Sequence, residues 1–450
     1  MVNVIKLRKG LDINLQGKAE QTKIGLKPAG LYALQPDDFT GVVPKVVVKE
    51  GEQVEAGQAL FVDKNHPEIL FVSPVSGKVK AVVRGERRKV LAVQVEAAQQ
   101  QQPVDHGKNS PQNMKAQEVV DLLLKAGLFG FINQLPYAVV ANPQDKPKAI
   151  AVSALRDKPL AADFEYELKG QENDWQTGLD ALAKIAPVYL GIGKNQSAKA
   201  LVDAKNVEVN VFDGPCPAGN VGVQVNHLCP VNKGEVVWTV EPTAVLFIGR
   251  LFNTGKVDLT RCVAFVGSEV KKPAYVDMMV GQELNTLLAN SLKNTKHVRI
   301  INGNVLTGVP TTKEGFLGAH SSEITVIPEG DNVDELAGWI MPRLNQFSVN
   351  RSYFSWLFGK KKEYALDARV KGGERHMIMS GEYDRVFPMD IYPEYLIKAI
   401  ITNDIDRMEQ LGIYEVAPED FALAEFVCSS KLELQKIVRE GLDMLRKENS

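Results

Sequence analysis

The densest polar and Gly/Pro-rich run in the chain, FDGPCPAGNVGVQVNHLCP at residues 212–230, carries three side chains with the chemistry of metal ligands: Cys216, His227 and Cys229. A zinc centre wants four nitrogen or sulfur ligands and usually draws two of them from a close C-x₂₋₄-C pair. No such pair is present, so the run reads as a long ordered loop instead. A second candidate, Gly191-Ile192-Gly193, is a lone G-x-G after an apolar run. A dinucleotide fingerprint needs further glycines, because backbone N–H groups must approach the pyrophosphate closely. A strand-to-helix turn is the expectation there. Lys64, in VDKNHPEI, is a third: a lysine at a hairpin tip is where a covalent lipoyl or biotinyl arm would attach.

The elements that must position these residues alternate along the chain. Residues 1–97 are strand-rich, with Val and Ile alternating with polar residues between Gly-containing turns. The run 97–113, with four consecutive Gln, cannot bury much and reads as a linker. From 115 to 255 helical and strand patterns take turns: MKAQEVVDLLLKAG, KAIAVSAL, WQTGLDALAKIA, PVYLGIG, SAKALVDA and VEVNVFDG. That alternation implies a mostly parallel sheet covered by helices. Strands return over 260–330, interrupted by the helical GQELNTLLANSL. Beyond 331 come NVDELAGWIMPRL, a hairpin-like region near 349–380, and helices. The last of these puts Leu434, Ile437, Val438, Leu442 and Leu445 on one face.

Composition bounds the function. The 450 residues suggest roughly three domains. A net charge of −2 offers no basic field, which excludes nucleic acid as the main partner. No run of 18 apolar residues occurs, and MVNVIKLRKGLD lacks the apolar core of a secretory signal. Four cysteines, at 216, 229, 262 and 428, make no disulfide framework. A soluble, cytoplasmic chain is expected, one that can still sit on a membrane complex as a peripheral component.

Several segments resemble known families. GEQVEAGQALFVDKNHPEILFVSPVSGKV resembles the barrel-sandwich hybrid of biotinyl and lipoyl carriers, with Gly51, Gly57 and Gly77 in its turns. The loop at Lys64 is longer than a carrier's tip and holds Pro67, so a structural domain is favoured over a swinging arm. From 119 onward the chain resembles the NADH- and FMN-binding subunit of respiratory complex I, and more closely the C subunit of the Rnf complex. Their flavin loop, of the type GLRGRGGAGFPTGLKW, corresponds to KAGLFGFINQLPY at 125–137, where Gly127 and Gly130 remain and the GRGG core does not. Their acidic NADEGEPGT-like motif is replaced by SALRDKPLAADFEYEL. LTRCVAFVGSEVKKPAYVDMMVGQELNTLL, 259–288, is similar to their soluble-ligand-binding β-grasp module, with Gly267, Pro273 and Gly281 in matching places.

The Rnf protein ends in two C-x₂-C-x₂-C-x₃-C-P runs that ligate iron–sulfur clusters. Here the first run is matched by Met377, Ser380, Tyr383 and Phe387-Pro388, the second by Pro418, Phe421, Ala424 and Cys428. One thiolate in eight positions cannot hold a cluster. Together with RVFPMDIYPEYL and FVC, this erosion is similar to the A-subunit family of sodium-translocating NADH:quinone oxidoreductases.

That resemblance implies an α+β multidomain chain: a barrel-sandwich hybrid at 1–100, an α/β Rossmann-like domain at 114–257, a β-grasp module at 258–330, and a helical domain resembling a cluster-free ferredoxin at 331–450. It implies a peripheral component on the cytoplasmic face of the bacterial inner membrane. No cofactor is expected on this chain; FMN, FAD, riboflavin and iron centres are expected on the partner B to F subunits. The membrane-embedded B subunit is the expected neighbour, with ubiquinone as a further contact. Pro217, Gly219, Gly222 and His227 are the loop residues expected to meet quinone or a partner, the alternative being a structural loop. No catalytic residue is assigned. The competing functions are an active flavin/iron–sulfur protein of Rnf type and a covalent carrier. Finally, NRSYFSWLFGKKKEY, 350–364, sets Tyr353, Phe354, Trp356, Leu357 and Phe358 before Lys360, Lys361 and Lys362. A β-hairpin with core aromatics is favoured there over a lipid-facing segment.

Overall fold

The computed structural model describes residues 3–331, 340–359 and 361–449. Most of NVDELAGWIMPRL therefore lies outside the described residues, as does Lys360.

The barrel is two small antiparallel sheets. One has the order Leu31–Leu34, Val90–Ala97, Gly77–Arg84, Gln53–Val54; the other Pro44–Val46, Ala59–Asp63, Leu70–Val72. Phe61 and Phe71 stack in its core with centroids 4.7 Å apart. A Cβ at Gly77 would lie 2.0 Å from the Glu96 carbonyl oxygen, so only glycine lets the neighbouring strand pass there. The two N-terminal strands leave this unit. Asn3–Lys6 pairs in parallel with Glu208–Asp213 in the second domain, and Glu20–Ile24 pairs with Ala274–Met279 in the third.

The second domain is a seven-stranded sheet in the order Asn3–Lys6, Glu208–Asp213, Val188–Gly193, Ala149–Ser153, Val237–Val240, Ile132–Leu135, Val139–Val140. The first five are mutually parallel, and Ile132–Leu135 runs antiparallel to both of its neighbours, Val237–Val240 and Val139–Val140. Alternation along 149–153 divides the sheet's faces. Ile150 and Val152 join the core beneath the helices Glu172–Ile185 and Pro242–Thr254, while Ala149 and Ala151 pack with Val225 of the helix Val221–Leu228. The two helices on the first face approach through glycine on both sides. A Cβ at Gly249 would sit 1.7 Å from the Asp174 carbonyl oxygen, and one at Gly178 2.1 Å from that of Val245.

The third sheet runs Val309–Thr311, Val298–Asn302, Glu323–Pro328, Thr260–Val266, Ala274–Met279, Glu20–Ile24. The C-terminal region packs helices Pro393–Ile401, Ile405–Gln410, Ala422–Val427 and Leu434–Glu448. On the last helix Leu434, Val438, Leu442 and Leu445 are fully buried and Ile437 partly so. Among the described residues near 349–380 no hairpin forms. It holds a 3₁₀ turn, Phe354–Phe358, followed by irregular chain in which a bridge joins Tyr364 to Leu15. ALDARVKGGERH, the stretch that would have to form the return strand, lacks an alternating apolar face and is broken by Gly372-Gly373.

Candidate functional site

In an open parallel sheet, ligands bind outside the carboxyl ends of the strands where strand order reverses. Here that point lies between Ala149–Ser153 and Val237–Val240, because the strand following the first lies on its other side. The chain leaves the first strand through Ala154, Leu155 and Arg156. It leaves the second through Glu241 into a helix started by Pro242, whose missing N–H costs nothing in the first turn.

The crevice is filled by the protein's own side chains. Arg156 Nη1 donates to Glu167 Oε2 at 2.8 Å and Nη2 to Thr243 Oγ1 at 2.8 Å; Thr243 Oγ1 donates to Glu167 Oε1 at 2.8 Å. The Glu167 side chain is 1% exposed and that of Arg156 12%. These three groups bond to one another, so the carboxylate and the hydroxyl are engaged within the protein. A second layer continues outward. Buried Arg261 donates to the Ala319 carbonyl, to Ser322 Oγ at 3.2 Å and to Glu241 Oε2 at 3.5 Å, and His320 Nδ1 lies 3.4 Å from Glu241 Oε1. Burial pushes the Glu241 carboxyl up, but His320, Arg261 and Arg156 outweigh it and hold it at about 2.

The glycines that a cofactor would need are spent on packing. Gly191 and Gly193 lie inside the strand Val188–Gly193, not in a turn after it. Cβ atoms there would meet Gln224 Oε1 at 1.9 Å and Leu155 Cδ1 at 2.7 Å. Those at Gly127 and Gly130 would meet Val72 and Phe71 of the barrel at 2.4 and 2.6 Å. A flavin phosphate does not fit this donor set.

The 212–230 loop runs along a seam with the C-terminal helices. Pro217 is buried. The Gly219 N–H donates to Asp157 Oδ2 at 2.8 Å, and Ser153 Oγ donates to the Gly219 carbonyl at 2.8 Å. A Cβ at Gly222 would lie 2.4 Å from Asp420 Oδ2. His227 is exposed at the rim, its Nε2 2.9 Å from the Pro388 carbonyl oxygen. Asn220 Nδ2 donates to Asp420 Oδ1 at 3.2 Å, Lys158 Nζ to Glu419 Oε2 at 2.7 Å, and Asn226 Nδ2 to Glu415 Oε2 at 2.7 Å. Burial pushes the carboxyls of Asp157 and Asp420 up, to about 6 and about 7. Cys216 and Cys229 pack into separate apolar clusters. Burial raises both thiols, Cys229 to about 11, which makes them poor thiolate ligands. Among the described residues no group of three or more His, Cys, Asp or Glu is placed to hold a metal ion.

The positions that the Rnf resemblance matches to cluster ligands come together across the two runs. In two-cluster ferredoxins the fourth cysteine of each run ligates the other cluster. Here Cys428, fourth in its run, meets Tyr383 of the other run, Sγ to hydroxyl at 2.9 Å. Phe387, fourth in its run, meets Phe421 of the other, ring centroids 4.8 Å apart. These two contacts hold one thiol and three aromatic rings, a donor set that does not fit an iron–sulfur cluster. Lys64 is exposed between the strands Ala59–Asp63 and Leu70–Val72.

Sequence reasoning did not single out Arg156, Glu167 and Thr243. The available signal was an arginine three residues beyond a buried strand, where a parallel sheet presents its ligand side.

The fold and this site define a multidomain α/β protein: a barrel-sandwich unit, a parallel-sheet domain of ligand-binding architecture, and a C-terminal region closed over it. Family models match in the same order, as the NqrA N-terminal barrel-sandwich hybrid domain at 5–98, the NqrA second alpha/beta domain at 114–257, and the NQRA C-terminal domain at 262–313. Curated relatives, each named as the A subunit of Na(+)-translocating NADH-quinone reductase, align over 99% of this chain and 100% of their own length. They are 34% identical in Neisseria meningitidis serogroup B, 35% in Yersinia pestis bv. Antiqua and 33% in Haemophilus influenzae. The chain belongs to that NqrA family. Among solved structures, an NAD+-reducing [NiFe]-hydrogenase aligns at 11% identity and TM-score 0.37, over 78% of this chain and 68% of that one.

Proposed function

We propose that this chain is a cofactor-free assembly component of a sodium-pumping NADH:quinone reductase, docked on the cytoplasmic face of the membrane beside the quinone-reducing side. The complex oxidises NADH, reduces quinone and exports Na⁺, with flavins, iron centres and the sodium path on the B to F subunits. The observation that carries this reading is the Arg156–Glu167–Thr243 plug at the switch point of the parallel sheet. A crevice closed by an internal ion pair favours a scaffold over an electron carrier. Among the described residues no helix is long and apolar enough to cross a membrane, which fits peripheral attachment.

The division at 1–100, 114–257, 258–330 and 331–450, with a β-grasp third unit and a ferredoxin-like last one, belongs to this proposal. Of the four loop residues, His227 is the one left accessible to a partner or to quinone; Pro217, Gly219 and Gly222 serve the seam. The test is isolation of the native complex with identification of its components, alongside flavin, iron and sulfide analysis of the purified chain. Co-purification with a colourless isolated chain supports the reading. Stoichiometric flavin or iron on the isolated chain overturns it. An intact mass above the sequence mass by a lipoyl or biotinyl group would revive the carrier at Lys64.

A further inference from the structure

The turn Phe354–Phe358 inverts the usual polarity of a packed segment. Its small polar residue, Ser355, is fully buried, while Phe354, Trp356, Leu357 and Phe358 are 59, 42, 64 and 55% exposed. Large side chains left outward this way mark a surface that something covers. The base of the turn is fixed to the body of the protein. Tyr364 donates its N–H to the Asn14 carbonyl at 2.9 Å and accepts from Gln16 N–H at 2.9 Å, and the Tyr364 hydroxyl reaches the Ser355 carbonyl at 3.5 Å. Ile340 and Met341, 65 and 61% exposed, adjoin it through the Phe354 N–H bond to the Pro342 carbonyl at 3.4 Å.

Cations ring the aromatic tip. The Arg351 guanidinium lies 4.9 Å from the Trp356 ring centroid and Lys362 Nζ 4.0 Å from that of Phe358, with exposed Lys361 between Gly359 and Lys362. Exposed aromatic rings packed against cations are the chemistry of a bilayer's headgroup level: rings enter the acyl boundary and cations meet phosphate.

We propose that this turn is a membrane-interface anchor that inserts its aromatic residues between anionic phospholipids, with Arg351 and Lys361 pairing with the headgroups. The inference rests on the reading of the chain as a peripheral component of a membrane complex, and it names the surface and the lipid class.

The experiment is flotation of the purified full-length chain with vesicles of phosphatidylcholine alone and of phosphatidylcholine with phosphatidylglycerol. Two variants go beside it, Phe354→Ser/Leu357→Ser and Arg351→Glu/Lys361→Glu, all at exposed positions. The parent should float with anionic vesicles and far less with neutral ones. Each variant should lose about twentyfold or more in partitioning, from the energy of two interfacial charges or of two buried apolar side chains. Both variants should still co-purify with the complex in detergent. A parent that does not bind anionic vesicles, or variants that bind like the parent, overturn the proposal. So does loss of the Phe354→Ser/Leu357→Ser chain from the detergent-purified complex, which would assign the tip to a protein partner. Failure of the reading as a component of the complex is seen separately, as absence of the parent chain from that complex.

Discussion

Replacing Arg156 with Met tests whether the switch-point crevice is closed. Met keeps most of the volume and removes the charge. Glu167 Oε2 then loses its donor, while Oε1 keeps the Thr243 hydroxyl. With the Glu167 side chain at 1% exposure, water cannot replace the guanidinium. Breaking a buried pair from one side costs about 3–5 kcal/mol. At a urea slope of about 2 kcal/mol per molar, the unfolding midpoint should fall by about 1.5–2.5 M. Trp175 and Trp238 are both buried in this domain, so intrinsic fluorescence follows the transition. The double variant Arg156→Met/Glu167→Gln removes the stranded charge and keeps an acceptor for Thr243. It should recover about 2 kcal/mol, leaving the cost of an unpaired amide. A single variant costing less than about 1 kcal/mol, or a double variant no better than the single, would refute the argument. Either result means that solvent reaches Glu167 and that the crevice is open.

Three further outcomes follow from the packing. Asp420 is held at about 7 in the folded chain against 3.8 for an unperturbed Asp. Its contribution to stability is therefore full below about pH 4 and lost as pH rises through about 7; Asp157, raised to about 6, acts in the same direction. Asp420→Asn should flatten the fall in urea midpoint between pH 5 and 8, and an unchanged slope would contradict the burial. Gly249→Ala places a methyl 1.7 Å from the Asp174 carbonyl oxygen and should separate the helices Glu172–Ile185 and Pro242–Thr254 at about 1–3 kcal/mol, read as a lower melting temperature. Phe421→Ala empties half of the Phe387–Phe421 pair and should destabilise the C-terminal region by about 3–5 kcal/mol, read by hydrogen exchange in the helix Leu434–Glu448.

What the sequence made legible and what it hid divide along physical lines. Alternating strand and helix patterns from 115 to 255 reveal the parallel sheet because each element must bury its own face, and that requirement is local. The destination of the first 24 residues is not local. NVIK reads as any edge strand; it joins Glu208–Asp213 because that strand's outer edge is open to pairing, a fact about chain some 200 residues away. The 350–364 segment failed for a related reason. Aromatics beside a glycine turn satisfy a core or an interface equally well, and the choice depends on whether a second strand exists to cover them. Among the described residues none is placed there, and the rings face outward.

The cluster positions show the strongest form of the argument. Counting spacing back from Phe387 and Cys428 yields eight residues with one thiol, too few thiolates to ligate a cluster. Spacing does not say that the two runs still face each other. The contacts Tyr383–Cys428 and Phe387–Phe421 pair one run with the other, in the crossed sense of a two-cluster ferredoxin. A cavity of cluster size left empty would cost several kcal/mol, and aromatic rings are the side chains large enough to close it. Arg156 occupies its crevice in a comparable way. At the switch point of this parallel sheet a long side chain enters the crevice and brings its counter-ion, Glu167, and a hydroxyl that bonds to both. The missing ligand residues and these fillers are thus complementary, visible as absence in the sequence and as contact in the fold.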